Sequence, residues 1–188
     1  MPPEKSSVAW FKLAEFVARR EKERAIAVYR LLVHALSDEA YSLQLGGDLM
    51  SAFDDAERAR DFYREAARHY MATLRFFQAG CIYEKLISDH EDTMTEQLWL
   101  DAMYAFDVTG SEKKIRAYAS YAVMMLCATQ QGYHYAVEHI EKRRFSPSTK
   151  EHFLEQLNNY AAKGTVEQEQ WSPIQNVSGD PAASQGRF

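Results

Sequence analysis

Six histidines and two cysteines are the side chains best able to hold a metal, and their spacing decides whether they do. They are His34, His69, His90, His134, His139 and His152, with Cys81 and Cys127. A zinc-binding helix places two histidines four residues apart, on one face. His134 and His139 are five apart, and no CxxC or Cys/His cluster occurs, so no metal site is expected. Nucleophilic catalysis fares no better, because the chain lacks a Gly-x-Ser-x-Gly elbow. The acidic pairs Asp54-Asp55 and Glu91-Asp92 fall at expected helix starts. There a carboxylate stabilises the helix dipole, a commoner role than general acid or base. The stretch "LGGDL" carries Gly46 and Gly47, which could suggest a phosphate loop. Such a loop needs a preceding strand and a Lys-Ser or Lys-Thr pair, and neither is present. No catalytic residue and no cofactor is therefore expected. An enzyme with an unrecognised site is the least favoured reading.

Charge and composition narrow the partners. The net charge is −5, with 46% hydrophobic and 26% charged residues over 188 positions. That suits one globular domain and argues against nucleic acid or an anionic membrane as the main partner. Arg19, Arg20 and Lys22 are interleaved with Glu21 and Glu23, the habit of a solvated helix end, and Lys142-Arg143-Arg144 is the other basic run. The opening "MPPEKSSVAW" has no apolar run of signal-peptide length, and no stretch approaches 18 consecutive apolar residues. Two separated cysteines flanked by apolar residues read as buried free thiols of a reducing compartment, so a cytoplasmic chain is expected.

The elements that would position any site are helices. No proline occurs between Pro3 and Pro147, and Ala, Leu, Glu, Arg and Tyr outweigh β-branched residues. Apolar spacing predicts nine helices, near 7–20, 23–36, 39–52, 55–71, 74–88, 95–108, 112–128, 132–142 and 149–162. Thr93 with Glu96 and Ser148 with Glu151 fit capping boxes, and Gly110 and Gly164 fit helix stops. Residues 7–162 form the expected helical domain. Residues 163–188 turn polar and Pro/Gly/Ser-rich and read as a flexible tail.

An internal repeat organises the helices. Ala25, Tyr29 and Leu32 become Ala59, Tyr63 and Ala66 on adding 34, and Leu45, Gly46 and Leu49 become Ala79, Gly80 and Tyr83. Trp10, Leu13, Ala14 and Val17 show the second pattern 32 residues earlier. This resembles the tetratricopeptide repeat family, whose unit is a 34-residue helical hairpin. Coverage is clear for residues 8–88. A third hairpin closes with Leu98, Ala102 and Ala105 after about five extra residues, and a fourth opens with Ile115, Tyr118, Ala119 and Ala122. The usual proline at the end of each second helix is absent. The resemblance implies an all-α, right-handed superhelix of stacked hairpins, with the last helix (Phe153, Leu154, Leu157, Tyr160) as a cap. It implies that Gly46, like Ala14 and Gly80, sits where the two helices of a hairpin cross.

The same resemblance places the first helix of each hairpin on a concave surface. The expected groove residues are Phe11, Leu43 and Phe77, then Glu15, Gly47 and Cys81, then Ala18, Met50 and Glu84. Gly47 and Cys81 would leave room in an apolar floor. An apolar groove of this kind binds a peptide or helix, so a scaffold or adaptor is the expected function. The lysine-asparagine carboxylate clamp of co-chaperones is not expected, since no asparagine precedes Asn158. The alternative is a small cytoplasmic chaperone that shelters apolar client segments, by analogy with tetratricopeptide secretion chaperones. Trp171 and Ile174 could enter such a groove, in their own chain or in a second copy. The competing reading is a solvated tail.

Overall fold

The computed structural model describes residues 3–90, 94–127 and 130–162. Among them are nine α-helices and no strand. They are α1 (Pro3–Ala18), α2 (Lys22–Ala35), α3 (Glu39–Ala52), α4 (Ala56–Ala72), α5 (Phe76–His90), α6 (Glu96–Val108), α7 (Glu112–Leu126), α8 (Gln130–Lys142) and α9 (Pro147–Ala162). Each predicted helix has one counterpart. The largest displacement is at the first, which begins at Pro3 rather than residue 7.

Short, repeated turns set the antiparallel path. Arg20, Asp54, Leu74 and Gly110 follow α1, α3, α4 and α6 and hold φ of 59°, 60°, 59° and 66°. After α1, Arg20 N–H donates to Val17 O at 3.0 Å and Glu21 N–H to Phe16 O at 2.9 Å. The same two bonds recur around Asp54, Leu74 and Gly110. This is the Schellman closure, which satisfies the last carbonyls and reverses the chain in two residues. Gly110 takes the left-handed conformation without strain. Arg20, Asp54 and Leu74 each carry a cost of about 1 kcal/mol there.

Polar contacts between hairpins hold the stack in register. Lys22 at the start of α2 pairs with Asp55 at the start of α4 at 2.9 Å. Arg75, just before α5, reaches Asp38, which caps α3, at 2.6 Å. Lys114 of α7 meets Glu84 of α5 at 2.6 Å, and Tyr135 of α8 donates to Gln97 of α6 at 2.6 Å. These pairs link α2 to α4, the start of α3 to that of α5, α5 to α7 and α6 to α8, while the closest packing is between consecutive helices, above all α3 with α4 and α4 with α5. Buried alanines and aromatics fill the space between them, with Ala25, Ala59, Tyr63, Ala66, Ala79, Tyr83 and Ala102 at 1% exposure or less. Close packing of helices at small residues is what the 34-residue pattern encodes.

The structure departs from the sequence reading in several places. Ala14 is exposed and marks no helix crossing, because α2 packs on the side of α1 that carries Leu13, Phe16 and Val17. The end of the stack is not a plain fourth hairpin: α9 packs on α7, while α8 lies against α6. Phe153 and Leu157 are buried by that packing. The cap of α9 is Ser146 rather than Ser148. Its hydroxyl accepts from Thr149 N–H at 3.3 Å and donates to Asp107 at 2.6 Å, tying α9 to the end of α6. The cap of α6 is Thr95, accepting from Leu98 N–H at 3.3 Å. Thr93, Gly164 and the tail 163–188 lie outside the described residues.

Candidate functional site

The expected groove residues separate into two groups. Phe11 is 76% exposed and Phe77 68% exposed, and Cys81, Glu15 and Ala18 are exposed as well. Glu15 pairs with Arg19 one turn on, at 2.7 Å. Glu84 is half-buried and engaged with Lys114. On α3, however, Leu43 is half-buried against the core, and Gly47 and Met50 are buried. The middle of the expected strip is therefore closed.

Gly47 is the reason. A β-carbon there would stand 2.5 Å from Cε1 and 2.6 Å from Cδ1 of Tyr63 on α4. The missing side chain admits a tyrosine ring and leaves no room in a groove floor. Gly46 serves a second close approach, its β-carbon position lying 2.6 Å from the Tyr29 hydroxyl of α2 and 2.8 Å from the Phe62 ring of α4. The pair of glycines lets α3 sit tightly between α2 and α4. Tyr63 completes the contact by donating to Asp48 at 2.8 Å. Burial, and then that carboxylate, push the Tyr63 phenol up.

What stays open is the start of α5. Leu74 is 73% exposed at a left-handed backbone position. Phe77 and Cys81, four residues apart on α5, share one face of that helix, and Leu74 precedes them in the turn after α4. Arg75 between them is fixed, its guanidinium 4.5 Å from the centre of the Tyr70 ring and paired with Asp38. Burial raises the Asp38 carboxyl, but the Tyr41 N–H and Arg75 outweigh it and hold it below its ordinary range. Sequence reasoning missed Leu74, because a leucine gives no turn signal.

A cavity of about 340 Å³ opens between α4, α5 and α6. Arg64, Arg68 and Met71 line it from α4 and Tyr83 from α5. The first turns of α6 supply Thr95, Gln97, Leu98 and Asp101. Asp101 accepts from Arg143 at 2.5 Å and from Gln97 at 2.8 Å. Arg68 holds both oxygens of Glu65 at 2.8 Å while remaining 71% exposed. Burial, and then Asp101, push the Tyr83 phenol up, with Arg143 and Arg68 pulling the other way. Spacing along the chain could not reveal this site. Arg64 and Arg68 sit among acidic residues as on any solvated helix, and α6 joins them only on folding.

The two thiols differ. Cys81 is exposed, whereas Cys127 is buried and its thiol is pushed up to about 12 by burial. Among the described residues no group of three or more His, Cys, Asp or Glu side chains is placed to hold a metal ion. No helix among them is long and apolar enough to cross a membrane. Comparison with known proteins finds no matching family model, no matching curated protein and no matching solved structure.

Proposed function

We propose that this chain is a non-catalytic, tetratricopeptide-like interaction module that binds an amphipathic peptide or helix at the start of α5. The observation that carries this is the exposed apolar face of α5 at Phe77 and Cys81, with the exposed Leu74 in the turn just before it, Leu74 at 73% and Phe77 at 68% exposure. A leucine that is both exposed and left-handed is unfavourable twice over, which is the kind of local cost that binding surfaces carry. The rigid hairpins on either side present the strip without further ordering, which lowers the entropy lost on docking. The one-turn step from Phe77 to Cys81 suits a partner helix with anchors four residues apart.

A second reading has its own support. Val8 at 53%, Phe11 at 76% and Leu31 at 61% exposure add apolar surface on the first hairpin. A chaperone that shelters apolar client segments would use such dispersed contacts.

Selection from a random peptide library on the immobilised chain separates these readings. Amphipathic sequences that bind wild type and lose at least tenfold in affinity with Phe77→Asp, at unchanged melting temperature, support the module. Unrelated apolar sequences that bind equally well to both proteins support the chaperone. If no peptide is enriched above background, neither reading stands.

A further inference from the structure

We infer that the strip on α5 is covered by this chain's own segment after α9, with Glu167 and Glu169 passing Lys113 of α7 and with Trp171 and Ile174 seated on Cys81 and Phe77. This rests on the reading of the strip as a docking surface and names its occupant.

A continuous exposed path leads from the end of α9 to the strip. Ser120 of α7 donates to Gln156 of α9 at 2.8 Å, an offset of 36 residues. Glu112 and Arg116 border one cavity with Ser148 and His152, at the same offset. α9 therefore runs parallel to α7 and ends beside Met124. Met124, Ala117 and Lys113 are exposed and share one face of α7. On the other flank, Lys114 pairs with Glu84 of α5 at 2.6 Å. Glu84 lies on the same face of α5 as Cys81 and Phe77, so the path continues onto the strip.

The segment after α9 carries the matching order of side chains. Val166 comes first, then Glu167 and Glu169, then Trp171 and Ile174. The surface offers Met124 first, then Lys113, then Cys81 and Phe77. Lys113 makes no ion pair among the described residues, so its charge is available to the two glutamates. The reach is sufficient. Nine residues separate Ala162 from Trp171, which extended span about 30 Å. The path is about 16 Å along α7 and about 10 Å across to α5. Pro173 holds the stretch around Trp171 and Ile174 extended and lowers the entropy lost on docking. The covalent link favours this occupant over a second copy, because a short tether gives an effective concentration in the millimolar range.

The exposed Cys81 serves as the reporter, and Cys127 is buried. In the full chain, Ser172→Cys places a thiol next to Trp171, and Ala182→Cys places one ten residues further out. For an undocked segment, doubling the distance from α9 slows ring closure only about threefold. Under mild oxidation the intramolecular disulfide to Cys81 should form at least tenfold faster from position 172 than from position 182. Phe77→Asp and Lys113→Glu alter exposed side chains, so each should keep the melting temperature and lower that ratio. No peptide is added, so the disulfide can fail to show the preference while peptides still bind at α5, and can show it where none binds. The inference is overturned if the ratio is below tenfold, if either substitution leaves it unchanged, or if the disulfides form between chains, which assigns the strip to a second copy.

Discussion

Replacing Gly47 by alanine should destabilise the chain, although local propensity predicts the opposite. Alanine in a helix interior is favoured over glycine by about 1 kcal/mol. Against that, the new methyl would stand 2.5 Å, 2.6 Å and 3.0 Å from Cε1, Cδ1 and Cζ of Tyr63. Carbon atoms in contact settle near 3.5–4.0 Å, so the ring must retreat by about 1 Å. It has nowhere to go. Tyr63 has 0% exposure, its hydroxyl is bonded to Asp48 at 2.8 Å, and Lys85 Nζ lies 5.3 Å from its ring centre. Overpacking of this kind costs about 1–3 kcal/mol, and losing the Asp48 bond adds about 1 kcal/mol. After the propensity gain, a net loss of about 1–3 kcal/mol is expected. Urea unfolding read by circular dichroism measures it directly. Gly46→Ala should lose less, because the Tyr29 and Phe62 rings it meets are half-buried rather than enclosed, and the main cost is the bond from the Tyr29 hydroxyl to Ser42 O at 3.0 Å. Combining Gly47→Ala with Tyr63→Leu should recover much of the deficit. A Gly47→Ala variant as stable as wild type, or more so, would refute the packing argument.

Other consequences are as direct. Leu74→Gly should raise stability by about 1 kcal/mol by removing a left-handed leucine, and should weaken any peptide bound at α5. A loss of stability in urea melts would contradict it. Thiol-reactive dye should label Cys81 at once and Cys127 only on unfolding, since Cys127 is buried with its thiol pushed up to about 12. Two equally fast thiols in the native chain would count against that burial. Tyr63, Tyr83 and Cys127 all have folded-state pKa values raised mainly by burial. Their neutral forms stabilise the fold fully below the unfolded values, about 9 for the thiol and 10 for the phenols. Above them the unfolded chain ionises first, so each group removes about 1.4 kcal/mol per pH unit. The urea midpoint should therefore fall steeply from pH 9 to 11, and a flat midpoint there would be the contrary result.

The fold was legible because the chain repeats itself in two independent sets of positions. Ala25/Ala59 and Gly46/Gly80 are 34 apart, and all four are buried. Helix ends were legible where a small residue marks them, as at Gly110. They were obscure at Leu74, where hydrogen bonds outside the helix enforce a conformation the residue itself disfavours. The surface was harder to read. Transferring one groove pattern to every hairpin assumes that equivalent helices present equivalent faces. Gly47 breaks that assumption, because a missing side chain is equally a gap for a ligand or a seat for a neighbouring ring. Only the position of Tyr63 decides between them. The cavity was invisible for a related reason: its two arginines and the start of α6 are brought together by the stacking, and neither segment carries a motif.

The central claim is that the start of α5 is where a partner docks, and photo-crosslinking tests it most directly. A library-selected peptide carrying a photoreactive residue at its central apolar anchor should attach to Leu74, Phe77 or Cys81, as located by mass spectrometry. Attachment confined to another part of the stack, such as the first hairpin or the cavity rim at Arg68, would contradict it.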